Sequence, residues 1–348
     1  MLEALFGIKN LVKVKRGAGI DKFYTSKSST RIGSNSGDVY GIYNAGKYIT
    51  GGGDDEFMIT VKTENRNGSG SEVFGFNNLG LIKMGSGQDI ININVNITGK
   101  GNNIYGLENT KTINMGGGND IIYSKVTVDG KRGSIYGIYN TGNINMGRGS
   151  NNIEGTAISN SGNNDVYGIA NEGTIKLGGA DDSITGKANN FNNKRTYGIS
   201  ITSQGILKSG DGNDTITGKA TSDAYNEQKF GIFNNGKLLT GSGEDVVDAL
   251  TGGFGGNGTT NLGNDNDTLM GFGSGNFRGG SGEDKILLGE GMYWFNENEV
   301  TLMNSTLTMN ISEFEKIGGF NSGIFAISNT IKSLTVDVNG DAALQMNI

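Results

Sequence analysis

The stretch Gly116–Ser124 reads GGGNDIIYS: three glycines, an amide and a carboxylate, followed at once by two isoleucines. Glycine allows backbone dihedral angles that other residues rarely adopt, so the first half of the stretch predicts a tight turn. The β-branched pair that follows favours a strand. The stretch therefore indicates a turn placed directly before a β-strand.

The same turn recurs along the chain at a fixed spacing. The position that follows G-x-G-x, or a close variant of it, comes back at steps of 31 to 34 residues, as Asp21, Asp55, Asp89, Asp120, Asn151, Asp182, Asp214 and Asp245. An aromatic-Gly-apolar triplet keeps step with it, beginning at Phe6, Tyr40, Phe74, Tyr105, Tyr136, Tyr167, Tyr197 and Phe230. Two independent markers with one spacing indicate an internal repeat.

Each copy of the repeat is predicted to contain three short strands. The copy that begins at Tyr136 reads YGIYNTGNINMGRGSNNIEG, and its apolar residues alternate with polar ones in short runs. This alternation is typical of strands, and it predicts that Tyr136 shares a face with Ile138, and Ile144 with Met146. Glycine and asparagine separate the runs, so turns are expected between them.

The repeat predicts an all-β fold, a right-handed parallel β-solenoid in which every copy forms one coil. Coils stack about 4.8 Å apart, so equivalent residues of successive copies are expected to form ladders. Isoleucine and methionine are expected to fill the interior. A second ladder of stacked amides is expected from Asn44, Asn78, Asn109, Asn140, Asn171 and Asn234.

Turn spacing divides the chain into three regions. Residues 1–250 hold eight coils of about 31 residues. In residues 251–290 the spacing shortens, since Asp267 lies 22 residues after Asp245 and Asp284 a further 17 residues on. These shorter coils are predicted to hold two strands each and to form a narrower β-roll. Residues 291–348 lack the glycine turns and are predicted to be a β-rich C-terminal cap or assembly segment, or else a small separate domain.

Composition argues against several classes of function. The chain has no His, Cys or Pro, which excludes a Ser-His-Asp triad, a cysteine nucleophile and zinc sites built on imidazole or thiolate. Carboxylate pairs such as Asp54 with Asp55 fall in repeated turns rather than in a cleft, so we expect no enzyme activity. The net charge of −6 argues against a nucleic-acid partner.

The sequence also predicts neither a membrane span nor a cleaved leader. No apolar run approaches the roughly 20 residues of a transmembrane helix. The start, MLEALFGIKNLVKVKRG, has no charged region ahead of a long apolar one, so we expect no secretory signal peptide.

The glycine turns have the chemistry of a calcium site. Their backbone carbonyls can point to one spot, and with an aspartate they supply the hard oxygen ligands that calcium prefers. Stacked aspartates would repel one another, and a divalent cation between each pair would remove that repulsion. The alternative is that these turns are tight corners without metal.

Three turns carry a family resemblance. GGGNDIIYS, GDGNDTITG and GGSGEDKIL resemble the G-G-x-G-x-D-x-U-x nonapeptide of RTX, or hemolysin-type calcium-binding, repeat proteins. The resemblance implies calcium bound between adjacent coils and a protein secreted to the cell surface by type I secretion without a cleaved signal. The ligands that it implies are Asp55, Asp89, Asp120, Asp182, Asp214, Asp245, Asp267 and Asp284, with Gly116, Gly118, Gly210, Gly212, Gly280 and Gly282 in the best-matching turns.

The chain also departs from the family pattern. Family repeats follow one another every nine residues, whereas here one turn comes in about every 31. Asn151 replaces the aspartate of its turn, and Ala180 and Asp265 replace the middle glycine of theirs. The long coil with its aromatic-Gly-apolar strand is similar to β-helical passengers of bacterial surface adhesins.

The expected function is structural. The repeat begins at Phe6, which leaves too few residues for a cap on the first coil, so we expect residues 291–348 of another copy to cover it. Such a head-to-tail contact propagates into a filament or surface layer. The alternatives are a glycan-binding adhesin that recognises cell-surface glycans, a carbohydrate-active β-helix module, or the repeat region of a larger toxin or adhesin.

Overall fold

The protein is a parallel β-solenoid of about nine turns. A computed structural model describes residues 4–31, 37–65, 71–130, 133–161, 164–191, 194–222, 228–296, 298–328 and 331–345, and within those ranges every regular element is a β-strand. The expected all-β fold with coils of about 31 residues is confirmed.

Nine coils contain three strands each. In chain order they are β1 (Leu5–Asn10), β2 (Lys13–Lys15) and β3 (Lys22–Arg31); β4 (Val39–Asn44), β5 (Lys47–Gly52) and β6 (Glu56–Asn65); β7 (Val73–Asn78), β8 (Leu81–Ser86) and β9 (Ile90–Gly99); β10 (Ile104–Asn109), β11 (Thr112–Gly117) and β12 (Ile121–Asp129); β13 (Ser134–Asn140), β14 (Asn143–Arg148) and β15 (Asn152–Ser161); β16 (Asp165–Asn171), β17 (Thr174–Gly179) and β18 (Ser183–Asn190); β19 (Thr196–Ile201), β20 (Ile206–Asp211) and β21 (Thr215–Ser222); β22 (Lys229–Asn234), β23 (Lys237–Ser242) and β24 (Val246–Asp248); β25 (Phe254–Gly255), β26 (Thr259–Asn264) and β27 (Thr268–Met270).

The remaining strands are shorter-coil and C-terminal elements. They are β28 (Gly275–Ser281), β29 (Lys285–Leu288), β30 (Gly291–Asn296), β31 (Glu299–Leu302), β32 (Thr308–Ser312), β33 (Lys316–Gly319), β34 (Ile324–Ala326), β35 (Ser333–Val336) and β36 (Ala342–Gln345).

Equivalent strands of successive coils form three parallel sheets. The first strands of the nine coils form sheet A, from β1 to β25, the second strands form sheet B, and the third strands form sheet C. The register pairs like with like, as in Ile113 with Ile144 and Ile144 with Ile175. Each step in the sequence repeat therefore becomes one step along the axis of the rod.

Aliphatic ladders fill the interior as predicted. Ile82, Ile113, Met115, Ile144 and Met146 are completely or almost completely buried, and they belong to one continuous core. Alternation places their neighbours outside, so the second strands β8, β11, β14 and β17 each contribute two apolar residues to the core. In β5, β20, β23 and β26 one of the two inward positions is polar, namely Thr50, Ser209, Thr240 and Thr260.

The aromatic residues at the position of Tyr136 in sheet A lie outside the main core, in contrast to the prediction. Ile138 lies in the main core, whereas Tyr136 packs in a separate cluster with Tyr139 and Tyr167, so the expected shared face is wrong. The alternation breaks at Gly137, where a Cβ would come 2.5 Å from the carbonyl oxygen of Gly168. Gly137 and Ile138, which are consecutive, are therefore both buried.

The aromatic cluster is a stack along the axis. From Phe6 to Tyr167 the rings of successive coils lie nearly parallel, with centroids 4.7–5.1 Å apart. Neighbouring rings cover one another's faces, so this stack stabilises the contact between coils.

The predicted asparagine ladder is present and hydrogen-bonded from Asn44 to Asn171, but Asn234 is not bonded to it, since its Nδ2 donates to the carbonyl oxygen of Thr259 at 3.0 Å. The Nδ2 of each asparagine donates to the Oδ1 of the next along the series Asn10, Asn44, Asn78, Asn109, Asn140 and Asn171, at 2.7–2.8 Å. Ile201 takes the equivalent position in the next coil, where the ladder is interrupted.

The solenoid narrows one coil later than predicted. The coil that contains Asp267 was expected to hold two strands, but it keeps a third, the two-residue strand β25. Gly252, Gly253 and Gly256 have positive φ angles of 111°, 77° and 94°, and these turns allow so short a strand to fit. The next coil, β28 and β29, has two strands as expected.

Antiparallel strands complete the C-terminal region. Strand β32 continues sheet B in parallel, and β31, β30, β35 and β36 add to it antiparallel; β33 and β34 extend sheet C. This region is β-rich, and its division from the solenoid at residue 291 stays a prediction.

Candidate metal site

Each glycine turn connects a strand of sheet B to the following strand of sheet C. In the turn Gly116–Asp120 the first and third residues, Gly116 and Gly118, have φ angles of 113° and 132°, which L side chains rarely adopt. A Cβ on Gly116 would also lie 1.8 Å from the carbonyl oxygen of Gly85 in the coil before. Glycine is therefore required both by the dihedral angle and by the close stacking of turns.

The other predicted glycines repeat this geometry. Gly210, Gly212, Gly280 and Gly282 have φ angles between 119° and 145° at the same corner of later coils. The two substituted turns keep the shape at a cost in strain, since Ala180 and Asp265 have φ angles of 79° and 76°.

All eight predicted aspartates come together in one row, which we call the aspartate row. It comprises Asp55, Asp89, Asp120, Asp182, Asp214, Asp245, Asp267 and Asp284, each at most 3% exposed, together with Asp21 at its N-terminal end. Asn151 lies in the row between Asp120 and Asp182. The row runs parallel to the axis just inside the corner.

From Asp55 onward, one oxygen of each carboxylate in the row accepts a backbone hydrogen bond. The backbone N–H of one row member donates to the Oδ1 of the next, as from Asp55 to Asp89 and from Asp89 to Asp120, both at 2.8 Å. The same bond repeats through Asp182, Asp214, Asp245, Asp267 and Asp284. These hydrogen bonds join each turn to the turn of the following coil.

The second oxygen of each carboxylate is the unusual feature. The Oδ2 atoms of all nine row aspartates are buried, and none accepts a hydrogen bond of ordinary geometry from a described residue. The hydroxyls of Ser209 and Thr240 lie close enough to Asp214 and Asp245 to oppose the rise in their pKa, although both hydroxyls donate to backbone carbonyl oxygens. A buried polar atom without a partner costs about 1–3 kcal/mol, and more when it carries charge. Nine such atoms in line indicate that a proton or a cation belongs at these positions.

Asn151 shows what surrounds that second oxygen. Its Nδ2, which replaces the Oδ2 of an aspartate, donates to the carbonyl oxygen of Gly149 at 2.7 Å and to that of Leu177 at 3.3 Å. Its Oδ1 accepts the N–H of Asp120 at 3.0 Å, as the aspartates do for their neighbours. The pocket behind the row is therefore lined by backbone oxygen atoms.

Burial raises the pKa of seven row carboxyls, those of Asp89, Asp120, Asp182, Asp214, Asp245, Asp267 and Asp284. The pKa rises to about 7 for Asp89, Asp182 and Asp267 and to about 6 for Asp120 and Asp245, because desolvation disfavours the charged form. Backbone N–H donors oppose this rise. Neighbouring carboxylates add to it at Asp89, Asp182, Asp245 and Asp267.

The donor set fits a hard divalent cation that takes most of its ligands from the backbone. In the described part of the chain, no three acidic side chains converge on one point. An ion at the row would therefore be held by an Oδ2 atom together with turn carbonyl oxygens. Oxygen-only coordination of this kind suits calcium.

Two acidic residues beside the predicted ligands were not predicted from the sequence: Asp21, at the N-terminal end of the row, and the exposed Glu315, which lies beyond its C-terminal end. Asp21 carries the same unpartnered Oδ2, and the backbone N–H of Asp284 donates to the Oε2 of Glu315 at 2.7 Å. Glu315 follows no glycine turn, so the turn marker could not reveal it. Asp21 did carry the marker, and its ladder position was the available signal.

The outer side of the turn is bonded in the opposite direction. The Oδ1 of Asp54 accepts the N–H of Gln88 from the following coil, and Asn119 does the same for Ser150. Successive turns are therefore joined by two sets of bonds that run in opposite directions along the axis.

Comparison with known proteins gives no match to a family model, to a curated protein or to a solved structure. The resemblance to RTX repeats therefore rests on the turn residues. The described residues include no helix long and apolar enough to cross a membrane.

Proposed function

We propose that this protein is a secreted, RTX-like structural protein of the bacterial cell surface whose rod is stabilised by calcium. The observation that carries the proposal is the line of nine buried Oδ2 atoms without a hydrogen-bond partner among the described residues. Export by type I secretion accompanies the RTX resemblance.

The argument for calcium is electrostatic. Charged carboxylates about 4.8 Å apart in a buried row repel one another, and their desolvation is already unfavourable. A divalent cation next to each Oδ2 offsets both costs and uses backbone oxygen atoms equivalent to those that Asn151 contacts, at Gly149 of its own turn and at Leu177 of the following coil. A proton would satisfy Oδ2 as well, but only at pH values near or below the raised pKa.

Metal content and thermal stability test this proposal together. Protein dialysed against calcium and then washed should retain several ions per chain, and calcium should raise the melting temperature by mass action. Asp89→Asn combined with Asp120→Asn should lower the stoichiometry, whereas Asp211→Asn, an exposed carboxylate of the same kind of turn, should not. An unchanged melting temperature in chelator would contradict the calcium role.

A structural role fits the placement of the acidic residues better than catalysis. The row carboxylates are buried behind the turns and contact backbone, so a substrate could not reach them. The coils form one unbranched stack, which is suited to a spacer, a sheath or a filament. We infer that copies join head-to-tail along the same axis.

Glycan binding is the second candidate, and one groove favours it. Where the solenoid narrows at β25, half-buried Phe233 lines an open groove with Thr202, Ser203, Asn235 and Asn257. An aromatic ring beside hydroxyl and amide groups matches the mixed surface of a sugar. Binding on a glycan array that is lost in Phe233→Ala, with unchanged circular dichroism, would support this function, and a reducing-sugar assay would reveal cleavage.

A further inference from the structure

A cavity of about 400 Å³ opens in the C-terminal region, between the extensions of sheets B and C. Most of its wall is apolar and is formed by Trp294 and Phe295 of β30, Ile317 of β33, and Ile327 and Ile331. Ile317 is fully buried, and Phe295 and Ile327 pack against the main core. The floor of the cavity is therefore continuous with the hydrophobic interior of the protein.

The cavity lies beyond the point where sheet A ends. Among the described strands, sheet A ends at β25, whereas sheet B continues to β36 and sheet C to β34. Two sheets rather than three therefore bound the interior of the C-terminal region. No described strand of sheet A is present here to fill the space between the other two sheets.

Backbone hydrogen bonds hold the wall of the cavity in place. The N–H of Phe295 donates to the carbonyl oxygen of Lys332 at 3.0 Å, which joins the end of β30 to the residue before β35. The N–H of Ile327 donates to the carbonyl oxygen of Glu315 at 2.7 Å. A site whose backbone is fixed in this way needs little ordering when a ligand enters, which favours binding.

The polar part of the lining carries a positive charge. Besides the apolar residues, Asn296, Ser328 and Lys332 line the cavity, and only Lys332 is charged. All three residues are exposed, so these polar groups lie on the solvent side of the cavity. Lys332 forms no ion pair with any residue that the structure describes. An ammonium group beside an apolar space matches a ligand that has an apolar body and an anionic head.

We propose that this cavity binds an aliphatic carboxylate, such as a free fatty acid. The alkyl chain lies between Phe295, Ile317 and Ile327, and the carboxylate pairs with the ammonium group of Lys332 at the opening. Trp294, which is 47% exposed, packs on the chain from the solvent side. A cavity of this volume can bury most of the surface of a small organic ligand. The site lies outside the glycine turns, so this binding is separate from any metal binding by the aspartate row.

The fluorescence of Trp294 tests the proposal, because it is the only tryptophan in the chain. Octanoate, decanoate and dodecanoate, added to the whole chain below their micellar concentrations, should each shift the emission to shorter wavelength, and the shift should saturate. Each buried CH₂ group should strengthen binding about fourfold, so each carboxylate should bind about 15-fold more tightly than the one before it. Affinities that do not depend on chain length would contradict burial of the alkyl chain.

Two substitutions separate the charge from the apolar space. Lys332→Gln should weaken dodecanoate binding about two- to fivefold, as expected for an exposed ion pair, and should leave the binding of dodecanol unchanged. Ile327→Phe should weaken the binding of both ligands, because the larger ring fills the space that the chain needs. Lys237→Gln, at an exposed position outside the cavity, is the matched control and should bind both ligands like the unaltered protein. Circular dichroism checks that each variant is folded.

Three results would overturn the proposal. Unchanged Trp294 emission in all three carboxylates would show that the cavity does not take an alkyl chain. Equal affinity for dodecanoate and for dodecyltrimethylammonium, or equal affinity of Lys332→Gln and the unaltered protein for dodecanoate, would show that the anionic head is not recognised. An emission shift with phosphatidylglycerol vesicles but not with the free carboxylates would assign Trp294 to a membrane surface instead.

Discussion

The turn that contains Asn151 and the turns that contain aspartate share one backbone but differ in how their second side-chain atom is satisfied. Gly147 and Gly149 have φ angles of 97° and 105°, close to the 113° of Gly116 in the coil before. Asn151 donates from Nδ2 to two carbonyl oxygens, whereas the Oδ2 of Asp120 has no donor among the described residues. The asparagine turn is complete by itself, and the aspartate turns need a proton or a cation.

Adding calcium should produce the largest difference between the aspartate turns and the Asn151 turn. We expect added calcium to slow amide exchange strongly in the aspartate turns and weakly in residues 147–151, because only the former offer a carboxylate for the ion. One site saturated at 100 times its dissociation constant contributes about 2.7 kcal/mol. Hydrogen exchange with mass spectrometry, in calcium and in chelator, measures the difference turn by turn.

Magnesium at the same concentration is the control, since it requires a smaller octahedral site and keeps its waters. If calcium slowed amide exchange equally in the Asn151 turn and in the aspartate turns, the carboxylates would not be the ligands that bind the ion.

Raising the pH without calcium should have the next largest effect. Burial raises the folded-state pKa of Asp89, Asp182 and Asp267 to about 7, against about 3.9 for an unfolded aspartate. The folded state therefore holds extra protons below neutral pH, and the free energy of unfolding should fall as pH rises from about 4 to 7. Thermal melts in chelator between pH 4 and 7 measure this fall in stability.

Calcium should reverse that trend at the upper end of the range, because it replaces the lost protons. A metal-free stability that rises steadily from pH 4 to 7 would contradict the raised pKa values.

Replacing one aspartate by asparagine should convert a turn to the other type. In chelator at pH 8, Asp120→Asn is expected to raise the free energy of unfolding by about 1–3 kcal/mol, since the new amide can donate where Oδ2 has no partner. In calcium the gain should shrink or reverse. Asp211→Asn, at an exposed position, should change neither value. Destabilisation of Asp120→Asn in chelator would show that the pocket does not accept a donor there.

The reverse substitution should cost stability by a similar or smaller amount. Asn151→Asp loses the bonds to Gly149 and Leu177, so in chelator we expect a loss of about 1–2 kcal/mol. With calcium the loss should be recovered, and the ion count should rise. Isothermal titration of both proteins measures the added site, and an unchanged count would contradict it.

The smallest effect is expected at the neighbouring turn. Ala180 has a φ of 79°, so Ala180→Gly should relieve strain and raise stability by up to about 1 kcal/mol. The calcium response should stay the same, because no ligand side chain changes. A destabilised variant would show that the alanine side chain contributes packing that outweighs its strain.

Spacing alone predicted most of the fold. Equivalent residues one repeat apart, such as Ile113 and Ile144, do pair in parallel, because a fixed repeat length brings each copy back to the same place on the axis. The break in alternation at Gly137 was not predictable, since it depends on the close approach of sheet C, where the backbone nitrogen of Thr156 lies 2.6 Å from the place of a Cβ on Gly137. Likewise, β25 forms in a coil whose length predicts only two strands, because glycines tighten its turns.

The position of the candidate site was also predictable, and its chemistry only in part. The repeat predicts that the turn aspartates form a row, and they do. Which oxygen receives the backbone N–H, and which is left without a donor, depends on the offset between coils, which the sequence does not encode locally. Glu315 could not be found, since no turn marker precedes it. Calcium itself stays a prediction.

Viewed as a line of charge, the aspartate row has a break in it. At an effective dielectric constant near 20, unit charges about 4.8 Å apart repel by about 3.5 kcal/mol, and those about twice as far apart by about half as much. Asn151 is neutral, so it separates the four carboxylates from Asp21 to Asp120 from the five between Asp182 and Asp284. Proton release and ion uptake should therefore be coupled about twice as strongly between neighbouring carboxylates of one segment as between Asp120 and Asp182 across the break.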